Sequence, residues 1–181
     1  MKKTIIASAV LSVISFGAMA ETPSFDYVEF GFTEYDSDGL CKLDGFELTA
    51  SKELNNNFYV AGDLARVNEG GFDLDTMTIG VGYKNQFSSN STFFSEIDFA
   101  KIKNSNDFDE NGFQVTAGIR SMLGKNLELK AAVEYLDIND VDETSYVVGG
   151  AYNLNSDLAV YADYTYESEL SKYGVGIRYN F

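Results

Sequence analysis

The chain of 181 residues contains no histidine and no tryptophan, a single cysteine and a single proline. Without histidine there is no Ser-His or His-Asp hydrolytic apparatus and no imidazole ligand for a metal, so much of ordinary enzyme chemistry is excluded. One cysteine, Cys41, cannot make an internal disulfide framework. Basic residues are also scarce: 13 Lys and Arg stand against 28 Asp and Glu, for a formal charge of −15. That sign repels phosphate backbones, which rules out nucleic acid as a partner. An aromatic fraction of 14% with one proline is not the composition of a disordered acidic chain. The length suits one domain.

Residues 1–20, MKKTIIASAVLSVISFGAMA, join a basic start at Lys2 and Lys3 to a short apolar stretch and an A-x-A ending at Ala18 and Ala20. This pattern predicts a secretory signal peptide cleaved after Ala20, leaving residues 21–181 as the exported chain. Its removal takes away two lysines and no acid, moving the formal charge from −15 to −17. Glu21 stands where a lipoprotein would need cysteine.

From Ser24 onward a two-residue alternation repeats, with no helical period longer than a turn. It is clearest at the end, where Tyr173, Val175, Ile177, Tyr179 and Phe181 alternate with Gly174, Gly176, Arg178 and Asn180. Similar alternation around Phe30, Phe46, Val60, Ile79, Ile97, Val115, Val133, Val148 and Val160 brings the expected strands to ten. The fold class expected is therefore all-β, an antiparallel up-and-down transmembrane β-barrel of ten strands, with eight as the alternative. Short turns at 54–57, 87–91, 123–126 and 154–157 take turns with more acidic links at 36–42, 67–73, 103–111, 137–144 and 167–171. Tight periplasmic turns and longer outer loops have this asymmetry, which would place both mature termini in the periplasm.

In lipid the apolar face points outward and the polar face lines the lumen. The lumen would then carry Glu29, Glu47, Asp63, Lys84, Glu96, Asp98, Arg120, Glu128, Lys130, Glu134, Asp163 and Arg178. The charges on the other face, Asp26, Lys52, Arg66 and Lys101, fall near strand ends. A water-soluble barrel with its apolar face inward fits the same alternation. Two features favour lipid: the polar face is rich in Gly, Ala, Ser and Thr, and aromatics such as Phe58, Tyr83, Phe113, Tyr135 and Tyr152 cluster at strand ends like interfacial girdles.

The closing stretch YGVGIRYNF resembles the C-terminal signal by which outer-membrane barrels are recognised for assembly, carried here by Tyr173, Val175, Ile177, Tyr179 and Phe181. The whole layout is similar to the small OmpA/OmpX-like barrels and porin-family proteins of Gram-negative bacteria. The opening FDYVEFGFTEYDSDG, followed by LDGFELTASKELNNNFYVAGDLARV, resembles the Ax family, outer-membrane barrels described as quorum factors. The resemblance implies the outer membrane as location, with lipid, lipopolysaccharide and the barrel-assembly machinery as partners.

Ten-stranded omptin-type proteases and acyl-transferring or phospholipase barrels use a histidine that this chain does not have. Glu96 and Asp98 share a face and could split their pKa values. A salt-bridge network with Lys84, Arg120, Lys130 or Arg178 accounts for them better, so no enzyme is expected. Asp107-Phe-Asp109-Glu-Asn111-Gly112 starts like an EF-hand loop, but the twelfth position is Gly118. Asp36, Asp38, Asp73, Asp107, Asp109, Glu110, Asp140, Asp142 and Glu143 are candidates for recruiting divalent cations shared with lipopolysaccharide. Gly80 and Gly82, like Gly174 and Gly176, lack the third glycine of a dinucleotide site. No cofactor is expected, and Cys41 reads as an unpaired loop thiol. Two functions remain: a narrow porin-like channel preferring cations, since inward acids outnumber inward bases, and a non-conducting structural or surface-interaction barrel with a salt-bridged lumen and acidic extracellular loops.

Overall fold

The computed structural model describes residues 22–37, 42–139, 141–168 and 170–181. The expected signal peptide, Cys41, Asp38 and Asp140 lie outside these residues. Ten strands follow one another in chain order: β1 (Tyr27–Ser37), β2 (Leu43–Glu53), β3 (Phe58–Glu69), β4 (Phe72–Gln86), β5 (Ser91–Asn104), β6 (Asp109–Leu123), β7 (Leu127–Ile138), β8 (Val141–Asn153), β9 (Leu158–Tyr166) and β10 (Leu170–Asn180). Each pairs antiparallel with its sequence neighbours, and β1 closes on β10 from Tyr27↔Asn180 to Ser37↔Leu170. The ten-stranded up-and-down barrel expected from the alternation is thus the observed fold. Closure leaves no edge strand, the condition for burying a sheet in hydrocarbon, where no water satisfies free backbone groups.

Exposure settles which face is which. Ile97 is 63% exposed and Ile79 59%, whereas Asp98, Arg120 and Glu128 are 4%, 3% and 4% exposed. A soluble barrel would reverse this, and so large an apolar surface in water would aggregate. Aromatic pairs mark both ends of the outer wall: Phe58 against Tyr83 at 5.5 Å near the β2–β3 turn, and Tyr164 against Tyr173 at 5.0 Å near the opposite rim. They have the amphipathic character that suits headgroup depth.

The acidic links differ from expectation. Instead of longer loops, the links at 67–73, 103–111 and 137–144 are mostly strand among their described residues. Asn68 pairs with Asp73 and Glu69 with Phe72, leaving only Gly70 and Gly71 to turn, both at positive φ (58° and 92°). That is the conformation a two-residue hairpin needs and glycine adopts freely. Asp137 likewise pairs with Asp142 around Asn139 at φ 56°. Polarity is a poor marker of a loop here, because these strands run past the bilayer into water. β4 and β6 have 15 residues each, more than the roughly 9–11 a membrane crossing takes.

Candidate functional site

Of the twelve charged residues read on the polar face, ten line the larger cavity of the barrel, Glu128 lines a smaller one and Lys84 lies over the buried Phe25 ring, and they sort into two groups. The first lies toward the end that holds the four turns after β2, β4, β6 and β8 together with the start of β1 and the end of β10. Arg120 donates from Nε and Nη2 to the two carboxylate oxygens of Glu128 at 2.9 and 3.0 Å. Arg178 donates from Nε to Glu29 at 2.6 Å and from Nη1 to Glu128 at 3.0 Å. Tyr27 is held between the two guanidinium groups, 5.1 Å from Arg120 and 4.5 Å from Arg178. Arg120 also lies 4.4 Å over the Phe25 ring, which compensates its Nη1, buried without a hydrogen-bond partner.

Phe25 precedes β1 and turns into the barrel, where it is 2% exposed and packs with Tyr59, Phe94, Ala132 and Val147. Its backbone is fixed from both sides: its N–H donates to Glu53 at 3.2 Å, and the Ser51 hydroxyl donates to its carbonyl at 2.7 Å. Lys84 pairs with Glu53 at 2.6 Å and lies 5.0 Å from the same ring. Ions and rings together make a septum across the lumen. A cavity of about 390 Å³ on one side is lined by Arg120 and Arg178, while a smaller one of about 240 Å³ at the turn end is lined by Glu128 and by residues of the turns and termini.

The second group lines the larger cavity. Glu47 pairs with Lys172, and Asp63 accepts from the Thr49 hydroxyl at 2.7 Å. Glu96 accepts from Tyr59 at 2.6 Å, while Asp98, Glu134, Lys130 and Asp163 make no hydrogen bond or ion pair with another described residue. Counting everything that lines this cavity, nine acids face five bases. At its rim, burial lifts the Glu167 carboxyl to about 7, helped by neighbouring Glu143 and partly offset by the hydroxyl that Ser145 donates to it at 3.1 Å.

The alternation also explains what it hid. Lys172 belongs to β10, two residues before Gly174 and on the same face, so continuing the period one step back finds it. Phe25 lies before the first strand, where periodicity is silent. The small inward residues are sockets as much as open space: a Cβ on Gly82 would enter the Tyr59 ring, one on Gly118 would meet Phe94, and one on Gly176 would meet Tyr161. Outside the barrel, Asp36 pairs with Lys42 at 3.2 Å and Asp109 with Lys101 at 2.6 Å. Among the described residues no group of three or more acids is arranged to hold a metal ion.

The profile of Gram-negative porins matches residues 32–172, most of the barrel. The chain belongs to the Gram-negative porin family. Its likeness to solved structures lies in the fold. A KdgM porin aligns with a TM-score of 0.50 at 14% identity, covering 84% of this chain and 99% of the other. The same porin in complex with disordered oligogalacturonate gives 0.50 at 16% identity over 84% and 99%. OprG of Pseudomonas aeruginosa aligns at 0.49 and 15% identity, covering 89% of this chain and 98% of that one. No curated protein sequence matches. The protein is a porin-like outer-membrane β-barrel and sits among outer-membrane lipids; its relatives are porins and other outer-membrane barrels rather than enzymes.

Proposed function

We propose that this barrel is a narrow, cation-preferring porin that is closed at rest by the septum of Arg120, Glu128, Arg178, Glu29 and Phe25. The observation that carries the reading is the excess of carboxylates around the larger cavity, nine against five bases. In a low-dielectric wall such an excess draws cations in and holds anions out. Ten strands give a bore close to the eight-stranded size that side chains fill, so one layer of ion pairs and rings suffices to shut it. The acidic rim would face the outside, with both mature termini and the turn end in the periplasm after cleavage behind Ala20. The outward row Tyr173, Val175, Ile177, Tyr179 and Phe181 would be read by the barrel-assembly machinery before β10 closes on β1. Lipopolysaccharide would surround the rim.

A second reading is supported by the septum itself, whose Arg120 and Glu128 side chains are only 3% and 5% exposed: a barrel permanently plugged, acting through its surface. Reversal potentials of the refolded mature protein across planar bilayers in a potassium chloride gradient separate the two. Current steps that reverse toward the potassium equilibrium potential support the channel. A folded barrel without current supports the plug, and anion selectivity contradicts the charge argument.

A further inference from the structure

We propose that Glu96, Asp98 and Glu134 form a binding site for a primary alkylammonium ion, such as an aliphatic diamine or polyamine, within the larger cavity. This rests on the cation-preferring reading and gives it a specific ligand class.

The three carboxylates come from two strands that flank β6: Glu96 stands opposite Thr116, and Thr116 opposite Glu134. Two strand spacings put the backbones of Glu96 and Glu134 roughly 10 Å apart, facing across the buried Thr116. Asp98 follows Glu96 on the same face and is 96% buried by the complement of its 4% exposure. It lines the cavity and has neither a hydrogen bond nor an ion pair with any described residue, and the charges that act on it most, Glu96 and Glu134, have its own sign. A carboxylate that opens into the cavity without a protein partner is free to take a cation that enters it. Lys130, four residues before Glu134 on its face, does not reach ion-pair distance of any of the three.

The class of cation follows from two lysines of the same lumen. Lys172 is held by the Glu47 carboxylate with its ammonium 5.7 Å from the Tyr35 ring. Lys84 is held by Glu53 at 2.6 Å, 5.0 Å from the Phe25 ring. In both, one carboxylate and one aromatic face enclose an ammonium on an alkyl stem. Glu96, Asp98 and Glu134 offer the same elements, with Tyr59 bonded to Glu96 at 2.6 Å and Phe94 one step along the inward face. The three acids do not converge as metal ligands do. A cavity of about 390 Å³ accommodates a chain of several carbons, and spread carboxylates suit a ligand with more than one ammonium group.

Isothermal titration of the refolded full barrel in detergent micelles with spermidine tests this, with magnesium chloride at matched ionic strength as competitor. The expected result is one saturable site, weakened about tenfold or more by Asp98→Asn and by Glu134→Gln, and unchanged by Asp36→Asn at the rim. Each variant is checked for the heat-modifiable gel mobility of a folded barrel. No saturable binding, equal displacement by magnesium, or affinity indifferent to both lumen substitutions would overturn the proposal. Spermidine binding to a barrel that passes no current upholds the site and ends the channel reading; cation-selective current with no spermidine binding does the reverse.

Discussion

The two parts of the lumen hold similar residue types and solve the problem of buried charge in different ways. In the septum every carboxylate meets a guanidinium or ammonium at 2.6–3.0 Å, and aromatic rings cover the remaining faces of the cations. In the chamber beyond it, acids exceed bases and Asp98 has no cationic partner among the described residues. The septum has the arrangement of a structural element, since a buried ion pair is tolerable only when both partners are fully satisfied. The chamber has that of a site, because its unbalanced charge does not serve packing.

The largest expected effect comes from breaking the septum. Glu128→Gln leaves Arg120 and Arg178 buried without their shared carboxylate, and urea unfolding of the refolded barrel should show a loss of about 3–5 kcal/mol. A lipid-facing change gives a comparable figure by another route: Ile97→Arg, at a position 63% exposed to the membrane side, should cost about 2–4 kcal/mol if it lies near the midplane, measured in the same titration in lipid vesicles. Next comes the contact that joins the two regions. Tyr59→Phe removes the hydroxyl that Glu96 accepts, and about 1.5–3 kcal/mol should be lost in the same assay.

The chamber should respond the other way. Asp98→Asn removes a charge that has no partner to lose, so stability should hold or rise, by about 1 kcal/mol at most, and a loss as large as that of Glu128→Gln would erase the distinction between the two regions. The smallest effect belongs to Glu167 at the rim. Its folded pKa is raised from 4.5 to about 7, so the folded state binds the proton more tightly than the unfolded chain. Stability therefore rises as pH falls from about 7 toward 4.5, and Glu167 is a net cost above that range. Water at the rim limits the swing to about 1 kcal/mol. Glu167→Gln should flatten the pH dependence of unfolding between about pH 4.5 and 7 by that amount.

How much of this was legible in the sequence follows from the period of a strand. A face alternates every two residues, so once Val175 and Ile177 are placed outward, Arg178 must be inward, and the same step finds all twelve lumen charges. Pairing across the lumen is different: Arg178 meets Glu128 fifty residues away, a distance set by barrel closure and stagger that no local pattern encodes. Loop length failed as a signal for a related reason. Asp73, Asp137 and Asp142 are polar because they stand beyond the bilayer, yet their backbones still complete the ladder. Phe25 lies outside any alternating segment, and nothing in FDYV marks it as the residue that turns inward. The sequence marks the glycines as small inward residues, and the fold makes Gly82 and Gly176 seats for tyrosine rings.

The central claim is that one septum closes a barrel whose charge selects cations, and single-channel recording of Phe25→Ala/Glu128→Ala/Arg120→Ala beside the unmodified protein tests it most directly. The triple variant removes the ring, the shared carboxylate and one guanidinium together, so no lone Glu128 is left behind. The unmodified barrel should open only in brief steps, and the variant should pass long-lived current that reverses toward the potassium equilibrium potential. Steady current through the unmodified barrel, or a folded variant that stays silent or prefers anions, would contradict the account.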